Sequence, residues 1–181
     1  MRVFAEELRQ FIYCPRIPFL RLNFGYRGTT YSMKKGSTYH AKKAARNYGF
    51  KNCETYYQLY VESKKHDIVS VPDVILKFHD YIVILENKRF IQGRPPFSVI
   101  AQAVAGGICA EEHFNLPLRE VRVVGFNGAT TKILVTQRLR DQVLQAIGRL
   151  KATLRELEAP DPTPDTGKCD ACEYRNVCGT I

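Results

Sequence analysis

The sequence predicts an α/β protein in which a mixed sheet is flanked by helices. Two observations carry this prediction: β-rich segments cluster in the first half of the chain, and helical periodicity appears on both sides of them. With 181 residues and 45% hydrophobic content, the chain can form one sizeable core and is predicted to be a single domain. It contains neither an apolar run of about 18 residues nor a signal peptide, so a cytoplasmic location without membrane contact is expected.

The N-terminal third is predicted to be helical with one long loop. A first helix covers Ala5–Tyr13 and is broken by Pro15 and Pro18, since proline removes a helical hydrogen bond. Residues 23–35 are rich in glycine and tyrosine and are predicted to be a loop. A second helix is expected over Ser37–Tyr48, because glycines lie just outside both of its ends.

Four β-rich segments follow in close succession. They are Thr55–Glu62, His66–Ser70, Asp73–Phe78 and Tyr81–Glu86. The last is a nearly continuous apolar run, which is typical of a central strand. His79 and Asp80 are predicted to form a tight turn between the last two strands.

The second half of the chain alternates helices with strands. A helix capped by Ser98 is predicted to end near His113, and two further strands are expected at Val121–Phe126 and Lys132–Gln137. Apolar residues on one face predict a long helix over Leu139–Leu157. The proline-rich segment Pro160–Pro164 is then a semi-rigid spacer before a cluster of cysteines.

A pair of carboxylates and a lysine form the first candidate site. A hairpin turning at Asp80 folds Glu86 back beside Asp73, and strand alternation places Lys88 on the same face as Glu86. Two oxygen ligands next to an ammonium suit metal-assisted phosphodiester hydrolysis with Mg²⁺ or Mn²⁺. Solvated surface charges are the alternative interpretation. Asp67 and Asp80 are rival aspartates whose positions fit less well.

Cysteines form the second candidate site. Cys169, Cys172 and Cys178 have a C-x2-C-x5-C spacing and lack a fourth ligand, which Cys14 can supply. Cys14 lies at a proline turn two positions before Arg16, whose charge favours the thiolate. Zinc sites favour paired C-x-x-C knuckles, whereas only one knuckle is present here, so an iron–sulfur centre is the favoured interpretation and zinc the alternative. The other two cysteines are predicted to be small buried hydrophobes: Cys53 and Cys109.

The net charge of +9 is unevenly distributed. Between Leu8 and Cys53 there is no Asp or Glu, whereas ten Lys or Arg residues and nine aromatic residues occur. Cations that meet phosphates and rings that stack on bases suit single-stranded nucleic acid. A solvated basic face with its aromatic residues in the core is the alternative.

These motifs together resemble a known nuclease family. Pro72-Asp73 and Glu86-Asn87-Lys88 are similar to the core of the PD-(D/E)xK nucleases, and more narrowly to their RecB-like branch. That branch has a Gly-x-x-x-His segment, matched here by Gly36 to His40, and a Gln-x-x-x-Tyr motif. Gln102 matches its glutamine, but Gly106 stands in place of the tyrosine.

The four cysteines that flank such a core narrow the resemblance to the fourth CRISPR-associated protein family, which are small RecB-like exonucleases with an iron–sulfur cluster. The resemblance implies a restriction-endonuclease-like core over about residues 36–158 of a single domain, 1–181. It also implies an iron–sulfur element formed by residues 1–22 and 160–181.

By position, the cluster ligands would be Cys14, Cys169, Cys172 and Cys178, with a 4Fe–4S cluster favoured over 2Fe–2S. The divalent metal would be held by His40, Asp73, Glu86 and the backbone carbonyl of Asn87, and Lys88 and Gln102 would complete the catalytic set.

The function implied by the resemblance is a DNA exonuclease that acts on single-stranded DNA or on single-stranded ends and trims fragments for CRISPR spacer acquisition. CRISPR integrase proteins would then be its partners, and the sequence leaves its oligomeric state open. Two alternatives remain: a non-catalytic iron–sulfur or zinc module that binds DNA, and a RecB-like nuclease of DNA recombination and repair.

Overall fold

A five-stranded mixed sheet and a smaller three-stranded sheet lie at the centre of the computed structural model. The structure describes residues 1–25, 51–89, 93–126, 128–170 and 172–179. The predicted helix Ser37–Tyr48, with His40, and nearly all of the predicted loop 23–35 lie outside the described residues. Within the described ranges, no helix has both the length and the apolar character needed to cross a membrane.

The order of the elements is that of the predicted α/β fold. They are β1 (Val3–Phe4), α1 (Ala5–Tyr13), α2 (Arg16–Phe24), β2 (Glu54–Tyr57), β3 (Val61–Ser63), β4 (Ile68–Ser70), β5 (Val74–Lys77), β6 (Ile82–Lys88), α3 (Phe97–Phe114), β7 (Leu118–Gly125), β8 (Thr130–Leu134), α4 (Gln137–Thr153) and α5 (Arg175–Cys178). A 3-10 turn at Thr166–Lys168 precedes α5. The predicted mixed sheet with flanking helices is confirmed.

The large sheet has the strand order β2-β5-β6-β7-β8. β6 and β7 are parallel, and the other neighbouring pairs are antiparallel. A parallel pair needs a crossover connection, and α3 supplies it. The small sheet has the order β1-β4-β3, with β1 parallel to β4.

Alternation along the strands gives the large sheet two buried faces. One face carries Ile75, Ile82 and Ile84 and belongs to the main core, together with apolar residues of α1, α3 and α4. The other face carries a second cluster of four buried residues: Val74, Leu76, Val83 and Leu85. Because side chains two positions apart share a face, the residues that follow Ile84 at even spacing lie on the same face as the main core.

The predicted strand Thr55–Glu62 is wrong as a single element. β2 pairs with β5 in the large sheet, whereas β3 pairs with β4 in the small one. Between them, Gln58 has a φ of 48°, in the left-handed region, which turns the chain from one sheet to the other.

The predicted break of helical structure at Pro18 is also wrong. Pro15 is the N-cap of α2, so Pro18 falls in the first turn, where backbone amides have no helical partner. The proline therefore breaks no hydrogen bond there. α2 continues to Phe24 and ends at Gly25, whose φ of 61° suits glycine.

Boundaries near α4 differ from the predicted ones by a few residues. The hydroxyl of Thr136 accepts a hydrogen bond from the backbone N–H of Leu139 at 3.2 Å, so the helix begins at Gln137 and the preceding strand ends earlier than predicted. The helix ends at Thr153 instead of Leu157, because Leu150 is its last fully buried residue. β7 begins at Leu118, three residues before the predicted start.

Candidate active site and cysteine pocket

The β5–β6 hairpin brings Asp73 and Glu86 to the same end of the large sheet. Val74 pairs with Leu85, so one step further along both strands Asp73 lies opposite Glu86. The backbone N–H of Asn87 donates to Oδ2 of Asp73 at 2.7 Å, which fixes that carboxylate against the end of β6. The pairing that the hairpin predicts is therefore present in the structure.

Lys88 lies on the same face as Glu86, as strand alternation predicts. Its Nζ donates to Oε1 of Glu86 at 2.8 Å. The Glu86 side chain is 6% exposed and that of Lys88 is 28% exposed, so the lysine stands at the mouth of the site and the carboxylate at its base. The site therefore pairs the buried carboxylate of Glu86 with the more exposed ammonium of Lys88.

The pKa of Glu86 is raised above its ordinary value. Burial is the largest cause, and the neighbouring charges of Asp73 and Glu6 act in the same direction, while Lys88 opposes them. A proton on Glu86 therefore competes with a cation for the same oxygen atoms, and binding a divalent ion would displace that proton. The donor set of two facing carboxylates suits a hard cation such as Mg²⁺ or Mn²⁺.

α1 contributes a second ion pair beside this site, which sequence reasoning missed. The carboxylate of Glu6 accepts hydrogen bonds from Nε of Arg9 at 2.9 Å and from Nε2 of Gln10 at 3.2 Å. Burial raises the pKa of Glu6, but Arg9 and the charge of Lys88 outweigh it, so that pKa lies below its ordinary value. No sequence signal links Glu6 to Lys88, because α1 reaches the site only through tertiary packing.

α3 lies close to the strand that leads into Asp73. A Cβ atom at Gly106 would lie 2.9 Å from Oγ of Ser70 and 3.1 Å from Cγ of Pro72. Both distances are shorter than ordinary contacts, so a tyrosine cannot be accommodated at this position without displacing Pro72. One turn earlier, Oε1 of Gln102 is buried and has no hydrogen-bond partner among the described residues.

Gly106→Tyr should lower the free energy of unfolding by about 1–3 kcal/mol or more, because overpacking at this contact forces Pro72 and α3 apart. DNA cleavage should fall as well, since Pro72 directly precedes Asp73. Gly148→Tyr is the matched control, because a Cβ atom at Gly148 would meet no neighbouring side chain within 4 Å. Urea denaturation would measure the stability of the two variants. Equal stability would contradict the close approach of α3 to Pro72.

The four predicted cluster cysteines line one cavity of about 280 Å³, called here the cysteine pocket: Cys14, Cys169, Cys172 and Cys178. Its floor is a small hydrophobic cluster in which Tyr174 packs against Ile17 and Leu20 of α2. The two ends of the chain therefore meet at this pocket. The hydroxyl of Tyr13 also donates to the carbonyl oxygen of Lys168 at 3.0 Å.

Burial raises the pKa of the Cys172 thiol, and the neighbouring charges of Cys14, Cys169 and Cys178 act in the same direction. A hydrogen bond with the backbone of Tyr174 lowers this pKa but does not cancel the other effects. Thiolates on all four side chains around one cavity would repel one another, so a cationic centre between them would be favoured. The sulfur-rich donor set fits an iron–sulfur cluster or zinc. Within the described parts of the chain, however, no three His, Cys, Asp or Glu side chains are already arranged as a metal site.

The other predicted residues have simpler positions. Cys109 is fully buried, its Sγ lies 3.5 Å from the carbonyl oxygen of Ile68, and burial raises its pKa to about 12. Cys53 is half-buried beside the second hydrophobic cluster. The rival Asp80 is exposed at the far end of the hairpin, and Asp67 lies 3.9 Å from Nζ of Lys151. His40 and most of the basic aromatic segment lie outside the described residues.

Comparison with known proteins supports the nuclease resemblance. No protein-family profile matches the sequence. Among curated proteins, it is similar to the CRISPR-associated exonuclease Cas4 of Francisella tularensis subsp. novicida (strain U112). The identity is 22% over an alignment of 181 positions, which covers 94% of this chain and 90% of the relative.

Among solved structures, the fold is similar to the alkaline exonuclease LHK-Exo from Laribacter hongkongensis. The TM-score is 0.57 at 13% identity, and the match covers 84% of this chain and 87% of the other. A second structure of LHK-Exo, in complex with dAMP, matches with a TM-score of 0.57 at 12% identity over 99% of this chain and 95% of the other. The predicted resemblance and the nuclease fold are confirmed by these comparisons.

Proposed function

We propose that this chain is a divalent-metal-dependent DNA nuclease, and more specifically an exonuclease that trims single-stranded DNA or single-stranded ends for CRISPR spacer acquisition. The observation that carries the proposal is the hairpin geometry: Asp73 opposes the buried Glu86, and Lys88 donates to Glu86 on the same face. The similarity to the curated exonuclease and to the alkaline exonuclease fold supports the reaction class.

Asp73 and Glu86 would hold a Mg²⁺ or Mn²⁺ ion, which supplies a more acidic bound water and offsets charge on the phosphate. His40 and the backbone carbonyl of Asn87 are the further ligands that the family resemblance implies. Deprotonation of Glu86 prepares the carboxylate for this role, and its burial excludes competing water.

Lys88 is the residue proposed to orient the attacking water and to stabilise negative charge on the phosphate. Its ammonium already lies 2.8 Å from Oε1 of Glu86, so a small movement brings it to a phosphate oxygen or an attacking water beside the same carboxylate. Gln102 is proposed to contact substrate, because its buried Oε1 is without a partner among the described residues and lies on the helix packed behind Asp73.

The cysteine pocket is proposed to hold an iron–sulfur cluster, of the 4Fe–4S type, ligated by Cys14, Cys169, Cys172 and Cys178. The proposal is supported by the cavity that all four thiols line. Because Cys14 is far from the other three cysteines in the sequence, a cluster bound there would link the N-terminal and C-terminal segments. DNA would be guided to the carboxylates by the basic aromatic segment between Leu8 and Cys53. CRISPR integrase proteins, which would insert the trimmed fragments, are its proposed partners.

The proposal is tested with purified protein and end-labelled single-stranded DNA. Wild type should release nucleotides with Mn²⁺ or Mg²⁺ and stop when the ion is chelated. Lys88→Met should lower the rate by roughly 10²–10⁴-fold. Lys77→Met is the control, because Lys77 pairs with Glu54 on the neighbouring strand away from the carboxylates.

Two results would reject the nuclease. One is DNA binding that weakens with salt but no cleavage with any divalent ion, which would indicate a non-catalytic binding module. The other is equal cleavage by Lys88→Met and Lys77→Met, which would mean that the reaction takes place elsewhere. Preference for fragments that a CRISPR integrase accepts, over recombination intermediates, would separate spacer trimming from a repair role.

A further inference from the structure

Arg16 connects the N-terminal side of the cysteine pocket to both ends of the C-terminal segment. Its Nε donates to the carbonyl oxygen of Pro160 at 2.8 Å, where the proline-rich spacer begins. Its Nη1 donates to the carbonyl oxygen of Cys178 at 3.1 Å, at the end of α5. A single guanidinium therefore holds the start and the end of the segment that carries three of the four cysteines.

The same guanidinium also reaches a cysteine sulfur. Nη1 of Arg16 lies 3.5 Å from Sγ of Cys178, within hydrogen-bonding range for a sulfur acceptor. In the opposite direction, the backbone N–H of Thr163 in the spacer donates to Sγ of Cys14 at 3.4 Å in a buried position. Each end of the chain thus donates an N–H group to a cysteine of the other end.

This geometry differs from what the sequence predicts for Arg16. Its position two residues after Cys14 indicates a charge that acts on the nearest thiol, whereas the structure directs its hydrogen bonds to Cys178. The contacts to Pro160 and to Cys178 can form at once because Nε and Nη1 of the guanidinium point to different acceptors.

A cationic donor at a ligand sulfur has two physical consequences. It orients the thiolate, and groups that orient metal ligands are typically worth 10–100-fold in affinity for the bound centre. It also stabilises negative charge on that sulfur, and hydrogen bonds to cluster sulfurs are one of the factors that set a reduction potential.

We propose that Arg16 is a positioning residue for the metal centre of the cysteine pocket: it fixes Cys178 as a ligand and donates to its sulfur when the centre is bound. The proposal rests on the iron–sulfur part of the proposed function and is independent of nuclease activity. Because a reduced cluster carries one more negative charge than the oxidised one, the donor favours the reduced form.

The test compares Arg16→Gln, Arg16→Lys and a control, Arg2→Gln, in the full-length iron-loaded protein. Arg2 suits the control because it belongs to the same N-terminal part of the chain, is 51% exposed, pairs with Glu62 at 3.0 Å and does not line the cysteine pocket. Iron release to a chelator and the midpoint potential are measured, the potential by titration with dithionite as the electron donor. Arg16→Gln should release iron roughly tenfold faster than the control. Its potential should be more negative, whereas Arg16→Lys should retain most of the potential but not the slow release.

The outcomes separate the proposal from its premises. An unchanged potential in Arg16→Gln overturns it even if release is faster, since a merely structural tether would loosen iron without moving the potential. If Arg16→Gln does not fold, Arg16→Lys decides, and release as slow as that of the control overturns the proposal. Zinc in the wild-type protein would refute the iron–sulfur cluster, and Arg16 would then be judged by zinc release alone. Absence of DNA cleavage by a wild-type protein that binds iron would refute only the nuclease, because iron release and the potential are measured without it.

Discussion

Asp73→Asn should abolish metal-dependent DNA cleavage while leaving the fold intact. Removing one of two carboxylates that face each other should remove about 4 kcal/mol or more of transition-state stabilisation, which is roughly a thousandfold in rate. Asparagine is preferable to alanine because its side-chain oxygen can still accept the hydrogen bond from the backbone N–H of Asn87. Rates with Mn²⁺ and with Mg²⁺, together with urea denaturation, would measure the two effects separately.

Asp80→Asn is the control for this variant. Asp80 belongs to the same hairpin but is exposed at its other end, so the substitution removes an equal charge without touching the site. Its cleavage rate should equal that of wild type. Binding of DNA by Asp73→Asn should also persist, because phosphates are held mainly by basic residues. Full cleavage by Asp73→Asn would remove the hairpin from the mechanism.

Cys14→Ser should lose the metal centre and much of the stability of the protein. Cys14 and Cys169 are 155 positions apart (169 minus 14), so a centre that bonds both closes a very long loop. A crosslink over a loop of this length stabilises by up to about 5 kcal/mol, because it restricts the unfolded chain. Iron content, visible absorbance and the urea midpoint should all fall, and activity should fall with them.

Cys53→Ala serves as the comparison for Cys14→Ser. Cys53 is half-buried at the second hydrophobic cluster and does not line the cysteine pocket, so its loss should leave iron content unchanged. A Cys14→Ser protein with full iron content and wild-type stability would show that the iron centre does not join the two ends of the chain.

Local patterns were sufficient for the part of the site that lies on one hairpin. Asp73, Glu86 and Lys88 belong to adjacent strands joined by a short turn, so alternation and turn position fix which of them share a face. The helix Ala5–Tyr13 was also predictable to the residue, because its apolar spacing and the following proline mark both ends. In both cases the determining interactions are only a few residues apart.

Features that depend on distant packing could not be predicted in this way. The change of sheet at Gln58 leaves no trace in the sequence pattern, because it depends on the pairing of β2 and β3 with strands of different sheets. The position of Glu6 near Lys88 and the contact of Arg16 with Cys178 join segments far apart in the sequence. The poor fit of a tyrosine at Gly106 likewise follows only from the approach of α3 to Pro72.

The two-residue strand β1 has a consequence for the order in which the protein folds. Val3 pairs with Ile68, and the cysteine pocket joins Cys14 to residues near the other end of the chain. Contacts of such large sequence separation form slowly, and a chain leaving the ribosome exposes its first residues long before their partners exist. In the nascent protein the apolar side chains of the N-terminal segment therefore stay uncovered until their partners have been synthesised, and Cys14 can contact all three of its partners only after Cys178 has been added.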